Sequence, residues 1–237
     1  MPHLPAPLAD ALTLVAAGLP KRERTRAQLL LAAIQVFAAR GVAAATMQEI
    51  AAVAGMTTGT VYNHFSTREE VVQQVGLWLA HALCQRITDS QQDIPEGAER
   101  MAIGNRRYLW LAEQSPAWAL LLLDVAAAAP EQLLQKVQAY ALADLRLGVK
   151  QGDFHIVSEA AAMDLINGTV TQAMRSIALG LAPPNHATAI ATTVLRGLGM
   201  AHKPAQAVAR RPLPPLQAPV ATPVRTGRAR RTVQGKS

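Results

Sequence analysis

The stretch TMQEIAAVAGMTTGTVYNHFSTR, residues 46–68, constrains this chain more tightly than any other. Thr46 followed three residues later by Glu49 has capping-box spacing, which predicts a helix from Met47 with two backbone donors satisfied reciprocally. Ile50, Ala51 and Val53 give that helix an apolar side, and Gly55 supplies the positive φ at which a helix ends and the chain turns. A second helix is predicted near Thr57, with Val61 and Phe65 four residues apart and pointing inward. Thr58, Gly59, Tyr62 and Asn63 then fall on its outer side. Two short helices joined by a tight Gly turn make a helix-turn-helix.

Hydroxyl, amide and imidazole groups of this kind bind base edges or phosphate oxygens, and Arg68 lies just beyond. A solvated polar face on an ordinary helical hairpin would have the same composition, so residue types alone leave both readings open.

Upstream, Thr25 with Gln28 forms another box, predicting a helix through Arg40 with Leu30, Ala33, Ile34 and Phe37 as its inward stripe. The basic run 21–24 precedes it as an arm. With Ile50, Val53, Val61 and Phe65, the residues Leu30, Ile34 and Phe37 are the expected core of a three-helix unit. A third box, Thr67 to Glu70, predicts a long helix to about Asp89. Further helices are expected over 96–114, 116–129, 131–151, 158–181 and 185–200, with breaks at Pro and Gly. Half of the 237 residues are hydrophobic but only 4% aromatic, a helix-forming mixture that predicts an all-α fold.

The net charge of +7 is uneven: +2 over residues 1–26, −3 over 27–200 and +8 over 201–237. Basic ends on a slightly acidic body suit an anionic partner, nucleic acid above all, although a basic tail also serves as a solvated segment. From His202 onward, six prolines and no large apolar periodicity predict disorder; the basic run 226–231 resembles a minor-groove hook only weakly. Cys84 is the single cysteine, which excludes an internal disulfide framework and a cysteine-built zinc site. Residues 8–19 are apolar but too short to span a bilayer, so a cytoplasmic location is expected. Neither a phosphate-cradling Gly loop, a nucleophile elbow nor a His/Asp/Glu metal set occurs, and no enzyme activity, cofactor or metal is expected.

The residues Phe37, Gly41, Thr46, Ile50, Ala51, Ala54-Gly55, the run Gly59-Thr60-Val61-Tyr62-Asn63-His64-Phe65, and Arg68-Glu69-Glu70 together resemble the DNA-binding domain of the TetR family of bacterial transcriptional repressors. The resemblance implies a DNA-binding domain (21–66) and a helical effector-binding and dimerisation domain (67–201), while composition adds a flexible N-terminus (1–20) and a disordered basic Pro/Arg-rich tail (202–237) that the family does not need. It implies a homodimer on double-stranded operator DNA, released by a small, mostly apolar effector.

By position, Gln48, Thr57, Thr58, Gly59, Thr60 and Asn63 would face bases, while Thr46, Tyr62, His64 and Arg68 would grip phosphates. Dimerisation would use the last two helices, with Ala160, Ala161, Gly168, Ala173, Ala187 and Ala191 allowing close approach. The candidate effector-lining residues are His81, Met101, Tyr108, Trp110, Trp118, Met163 and Asn167, an apolar set with a few polar groups.

Overall fold

Helix α1 (Lys21–Arg40) begins four residues before the predicted Thr25 box. In the computed structural model, which describes residues 4–5, 8, 20–128 and 131–216, Pro20 takes the N-cap and the Thr25 hydroxyl donates back to the Lys21 carbonyl at 3.1 Å. The basic run is therefore the first turn of a helix and not an arm. Lys, Arg and Glu are good helix formers, and Glu23 complements the positive helix end, which together outweigh an isolated box.

Helix α2 (Met47–Ala54) has the predicted reciprocal cap: the Glu49 amide donates to Thr46 Oγ1 at 3.3 Å, and the Thr46 amide donates to Glu49 Oε2 at 3.0 Å. Gly55 ends it at φ +66°. Helix α3 (Thr58–Tyr62) is little more than one turn, capped by Thr57 accepting from the Thr60 amide. Leu30, Ile34, Phe37, Ile50, Val61 and Phe65 are buried as expected, but Val53 is 48% exposed. The inward face of α2 runs through Met47, Ile50 and Ala51, and Val53 lies about 100° of helical rotation away from it.

Two arginines tie this unit together. Arg26 stacks its guanidinium 4.4 Å above the Phe65 ring and donates to the His64 carbonyl at 3.0 Å, fixing the end of α3 to α1. Arg68 does the same for the α1–α2 turn, donating to the carbonyls of Ala45 and Val42.

Helix α4 (Arg68–Ser90) starts from an N-cap Thr67 that accepts from the Glu70 amide, while the Glu70 carboxylate accepts from the Ser66 amide at 2.7 Å. Val71, Val75, Leu79, Leu83 and Ile87 form a buried stripe along it, continuous with the core of the first three helices. Gly76 lets α4 lie directly against α6 (Pro116–Ala128), since a Cβ there would sit 2.6 Å from Val125 Cγ2. A second core joins Met101 of α5 (Gly97–Gln114), Leu145 of α7 (Glu131–Gln151), Met163 and Ile166 of α8 (Glu159–Ala178) and Leu195 of α9 (His186–Gly197). Helices α8 and α9 each end three residues before the predicted boundary, because Gly180 and Gly199 take positive φ just beyond them.

The expected disorder from His202 onward is corrected over the first part of that segment. Residues His202–Ala209 form α10, whose Ala205 and Ala209 are completely buried against the second core. Two alanines at i, i+4 bury little area each but allow close helix approach, a pattern that a search for large apolar residues overlooks. Beyond α10 the chain continues across α5, where Arg106 donates to the Arg211 carbonyl at 2.6 Å and Arg107 to that of Pro214. The basic run 226–231 and most of the N-terminal segment lie outside the described residues, although Leu8 is fully buried against the first core. Among the described residues no helix is long and apolar enough to cross a membrane.

Candidate nucleic-acid interface and ligand cavity

The outward side of the helix-turn-helix separates into groups that are free and groups already bonded. Gln48, Gly59, Tyr62 and Asn63 are exposed, and Tyr62 is 52% accessible despite being aromatic. No side-chain hydrogen bond involves Gln48, Tyr62 or Asn63 among the described residues. Thr58 and His64 are half-buried beside them. A Cβ on Gly59 would meet only Thr57 Oγ1, at 3.8 Å, so the face is open there. Exposed Lys21, Arg22 and Arg24 on the first turn of α1 add positive charge to the same unit.

Other expected contact residues are engaged within the chain. Thr46 Oγ1 lies 2.9 Å from Glu49 Oε2 and also accepts from the Glu49 amide, so its hydroxyl serves as the helix cap. The bonds that the Thr46 hydroxyl and the Thr46 amide donate to Glu49 Oε2 hold the Glu49 carboxyl below its ordinary pKa, and Arg40 at 2.5 Å adds to the effect. Thr57 and Thr60 face each other, their hydroxyl oxygens 2.9 Å apart, which leaves less capacity for base edges than expected. Arg68 is engaged within the chain, pointing toward the Ala45 and Val42 carbonyls and Glu69.

Between the two cores lies a cavity of about 170 Å³, bounded by α4, α5, α6, α7 and α8. Met101, Tyr108 and Asn167 line it as the sequence suggested. Four other expected lining residues do not. Trp118 is buried in the first core and Met163 in the second, because their large apolar side chains fill helix interfaces there. Trp110 sits on the outer side of α5 under the Arg107 guanidinium, 5.8 Å from its ring centre. His81 stays exposed and reaches the rim only through Tyr140, whose hydroxyl is 3.3 Å from His81 Nδ1 and donates to Gln85 Oε1 at 3.1 Å.

The sequence reading missed Cys84, Gln91, Asn105, Tyr140 and Asp144, all of which line the cavity. For Asn105 a signal was present. It shares a helical stripe with Met101 and Tyr108, and an amide on such a stripe marks a polar group facing inward. Burial pushes the Cys84 thiol up to about 12 and the Tyr108 phenol up from its ordinary value, so both are neutral. Burial also raises the Asp144 carboxyl, against the opposing pull of Arg100, whose Nε donates to it at 2.7 Å.

A capped helix-turn-helix carried on one end of a helix whose other end walls a cavity is the architecture of a ligand-responsive DNA-binding regulator. Residues 29–75 match the model of the bacterial regulatory proteins of the tetR family, and residues 96–211 match the tetracyclin repressor-like C-terminal domain. Together the two matches span more than two thirds of the chain, which belongs to the TetR family.

The chain is 38% identical over 81 residues to the HTH-type transcriptional regulator TtgR of Pseudomonas putida. It is 49% identical over 53 residues to the regulator SrpR, also of Pseudomonas putida. These stretches span 33% and 22% of this chain, and only 39% and 25% of the two regulators. Over most of the chain it is similar to the solved structure of RolR in complex with resorcinol, with a TM-score of 0.71 and 27% identity, covering 83% of this chain and 98% of that one.

Proposed function

We propose that this chain is a homodimeric transcriptional regulator working in the cytoplasm, a repressor that leaves its operator when a small, mostly apolar molecule enters the cavity. The observation that carries the reading is the continuity of α4. Its N-terminal end is locked to the helix-turn-helix by Arg68, and its C-terminal end supplies Cys84, Ile87 and Thr88 to the cavity wall. A ligand that favours a different α4 position in one state shifts the population of DNA-competent dimers by its differential affinity. Gln48, Thr58, Gly59, Tyr62 and Asn63 would face the groove, with Asn63 suited to adenine and Tyr62 and His64 to phosphate.

One helix-turn-helix reaches one half-site, so two copies are needed to place reading helices about 34–36 Å apart on one face of duplex. The exposed small residues Ala160, Ala161 and Gly168 on α8 support pairing through that helix. Ala173 and Ala191 are buried within the chain's own core and take no part. The cavity is slightly larger than the roughly 150 Å³ apolar cavities known to hold benzene, which favours a single-ring effector like the resorcinol held by RolR.

The test is fluorescence anisotropy of labelled duplex from the chain's own upstream region, with sedimentation to count protomers. Specific, salt-sensitive binding by a dimer supports the reading; a monomer that ignores duplex at low ionic strength ends it. A reporter fused to the same region separates repression from activation.

A further inference from the structure

Two buried amide atoms in the cavity wall lack partners. Asn105 is 5% exposed and Gln91 1% exposed, yet neither Asn105 Nδ2 nor Gln91 Oε1 has a hydrogen-bond partner among the described residues. The orientation of Gln91 is set by its other end, because Nε2 donates to the Arg100 carbonyl at 2.8 Å. Turning the amide over would place oxygen against oxygen, so its free end is an acceptor. Leaving such groups unpaired in a buried site is costly, and a ligand that pairs them recovers that cost on binding.

From this pair we infer that the cavity recognises a neutral, ring-sized molecule bearing at least one hydroxyl group, which donates to Gln91 Oε1 and accepts from Asn105 Nδ2. The inference rests on the cavity being the effector site. A hydroxyl both donates and accepts, so it suits an acceptor and a donor that face the same space. An anionic ring is disfavoured by the rest of the wall. Among the described residues the lining has no Lys, Arg or His, and its one carboxylic acid, Asp144, would face a ligand carboxylate across a low-dielectric space. The Arg100 guanidinium that could offset this is already bonded to Asp144 and to the Gln91 backbone carbonyl. Hydrocarbon rings fit by size but leave both amides unpaired.

Calorimetric titration of the full chain, free of DNA, with phenol, resorcinol, toluene and benzoate tests this. The expected order places phenol and resorcinol at least about tenfold tighter than toluene, with benzoate weakest. Asn105→Leu, and separately Gln91→Met, should remove that advantage by about tenfold while changing toluene affinity less than about threefold. Asn105→Leu should also leave the melting temperature unchanged or raised, which separates lost recognition from lost folding. Equal affinity for toluene and phenol, or unchanged preference in both variants, overturns the inference and leaves the cavity reading standing. Failure of all four compounds to bind overturns both.

Discussion

Arg68 Nε donates to the Ala45 carbonyl at 2.8 Å, across 23 residues of chain, and so fastens the first turn of the long helix α4 to the loop that launches α2. Sequence position suggested a phosphate ligand; the geometry makes it a clamp between the reading unit and the body. Arg68→Lys loses the fork and should cost about 2 kcal/mol of stability, the scale of a charge-assisted hydrogen bond. Chemical denaturation measures that cost. If Arg68 instead touches phosphate, Arg68→Lys should keep its stability, and Arg68→Ala should lower the salt dependence of DNA binding by about one contact.

Thr46→Ala should destabilise the protein by about 1 kcal/mol, the usual effect of losing an N-cap. The pH dependence carries a second signature. Glu49 is held below its ordinary pKa chiefly by Thr46, so its contribution is present above the unfolded carboxylate value and fades as pH falls through the lower folded one. Wild type should therefore lose more stability than Thr46→Ala on going from neutral to acid pH. Parallel curves for the two proteins would show that the bond has no energetic role.

Tyr62 and Asn63 are neighbours on the exposed face but are assigned different tasks. Tyr62→Phe should weaken binding similarly on all duplex sequences, because a lost phosphate contact carries no sequence information. Asn63→Ala should change preference at a single base pair, by about 1–3 kcal/mol. Binding to a set of single-base operator variants distinguishes the two, and an unchanged preference in Asn63→Ala removes its base-reading role.

Gly168 faces outward from α8 with nothing within 4 Å of the position its Cβ would take. Gly168→Glu should therefore leave the protomer fold intact while placing two carboxylates against each other at the proposed dimer seam. Sedimentation should show monomers with native circular dichroism and DNA affinity reduced by at least about a hundredfold, since a single half-site remains. A dimer of undiminished affinity would move the interface elsewhere.

Cys84 lines the cavity and is 8% exposed, with a thiol pKa of about 12. Its folded pKa exceeds the unfolded one, so the stability attached to the neutral thiol holds below pH 9 and declines as pH rises toward 12. A thiol reagent at pH 8 should react slowly with the native chain and quickly with the unfolded one. Saturation with a cavity ligand should slow the native reaction further. Rapid native reaction would show that the cavity wall opens freely.

The readable parts of this fold were the local ones. The Thr46–Glu49 cap, the turn at Gly55 and the stripe through Ile34 and Phe37 depend on residues within a turn or two of each other, and all stand where spacing placed them. Val53 was misassigned because an eight-residue helix constrains its inward face poorly, and Thr25 because a box competes with helix-forming neighbours. The cavity is a different case. Its wall takes residues from five helices, so whether Trp118 or Asn105 faces it depends on how those helices rotate against one another, which periodicity does not encode. The helix at His202–Ala209 escaped because alanine contributes contact without hydrophobic bulk.

Gly76 turns α4 into a lever. With no side chain between its backbone and Val125, α4 cannot move closer to α6 at that point, which would serve as a fulcrum. At 1.5 Å per residue, the arm to Ile87 in the cavity wall is about 16 Å and the arm to Arg68 about 12 Å. On the proposed function, a guest molecule that displaced the Ile87 end by about 1 Å would move the Arg68 end by about 0.7 Å in the opposite sense, and the clamp would pass that swing to the helix-turn-helix.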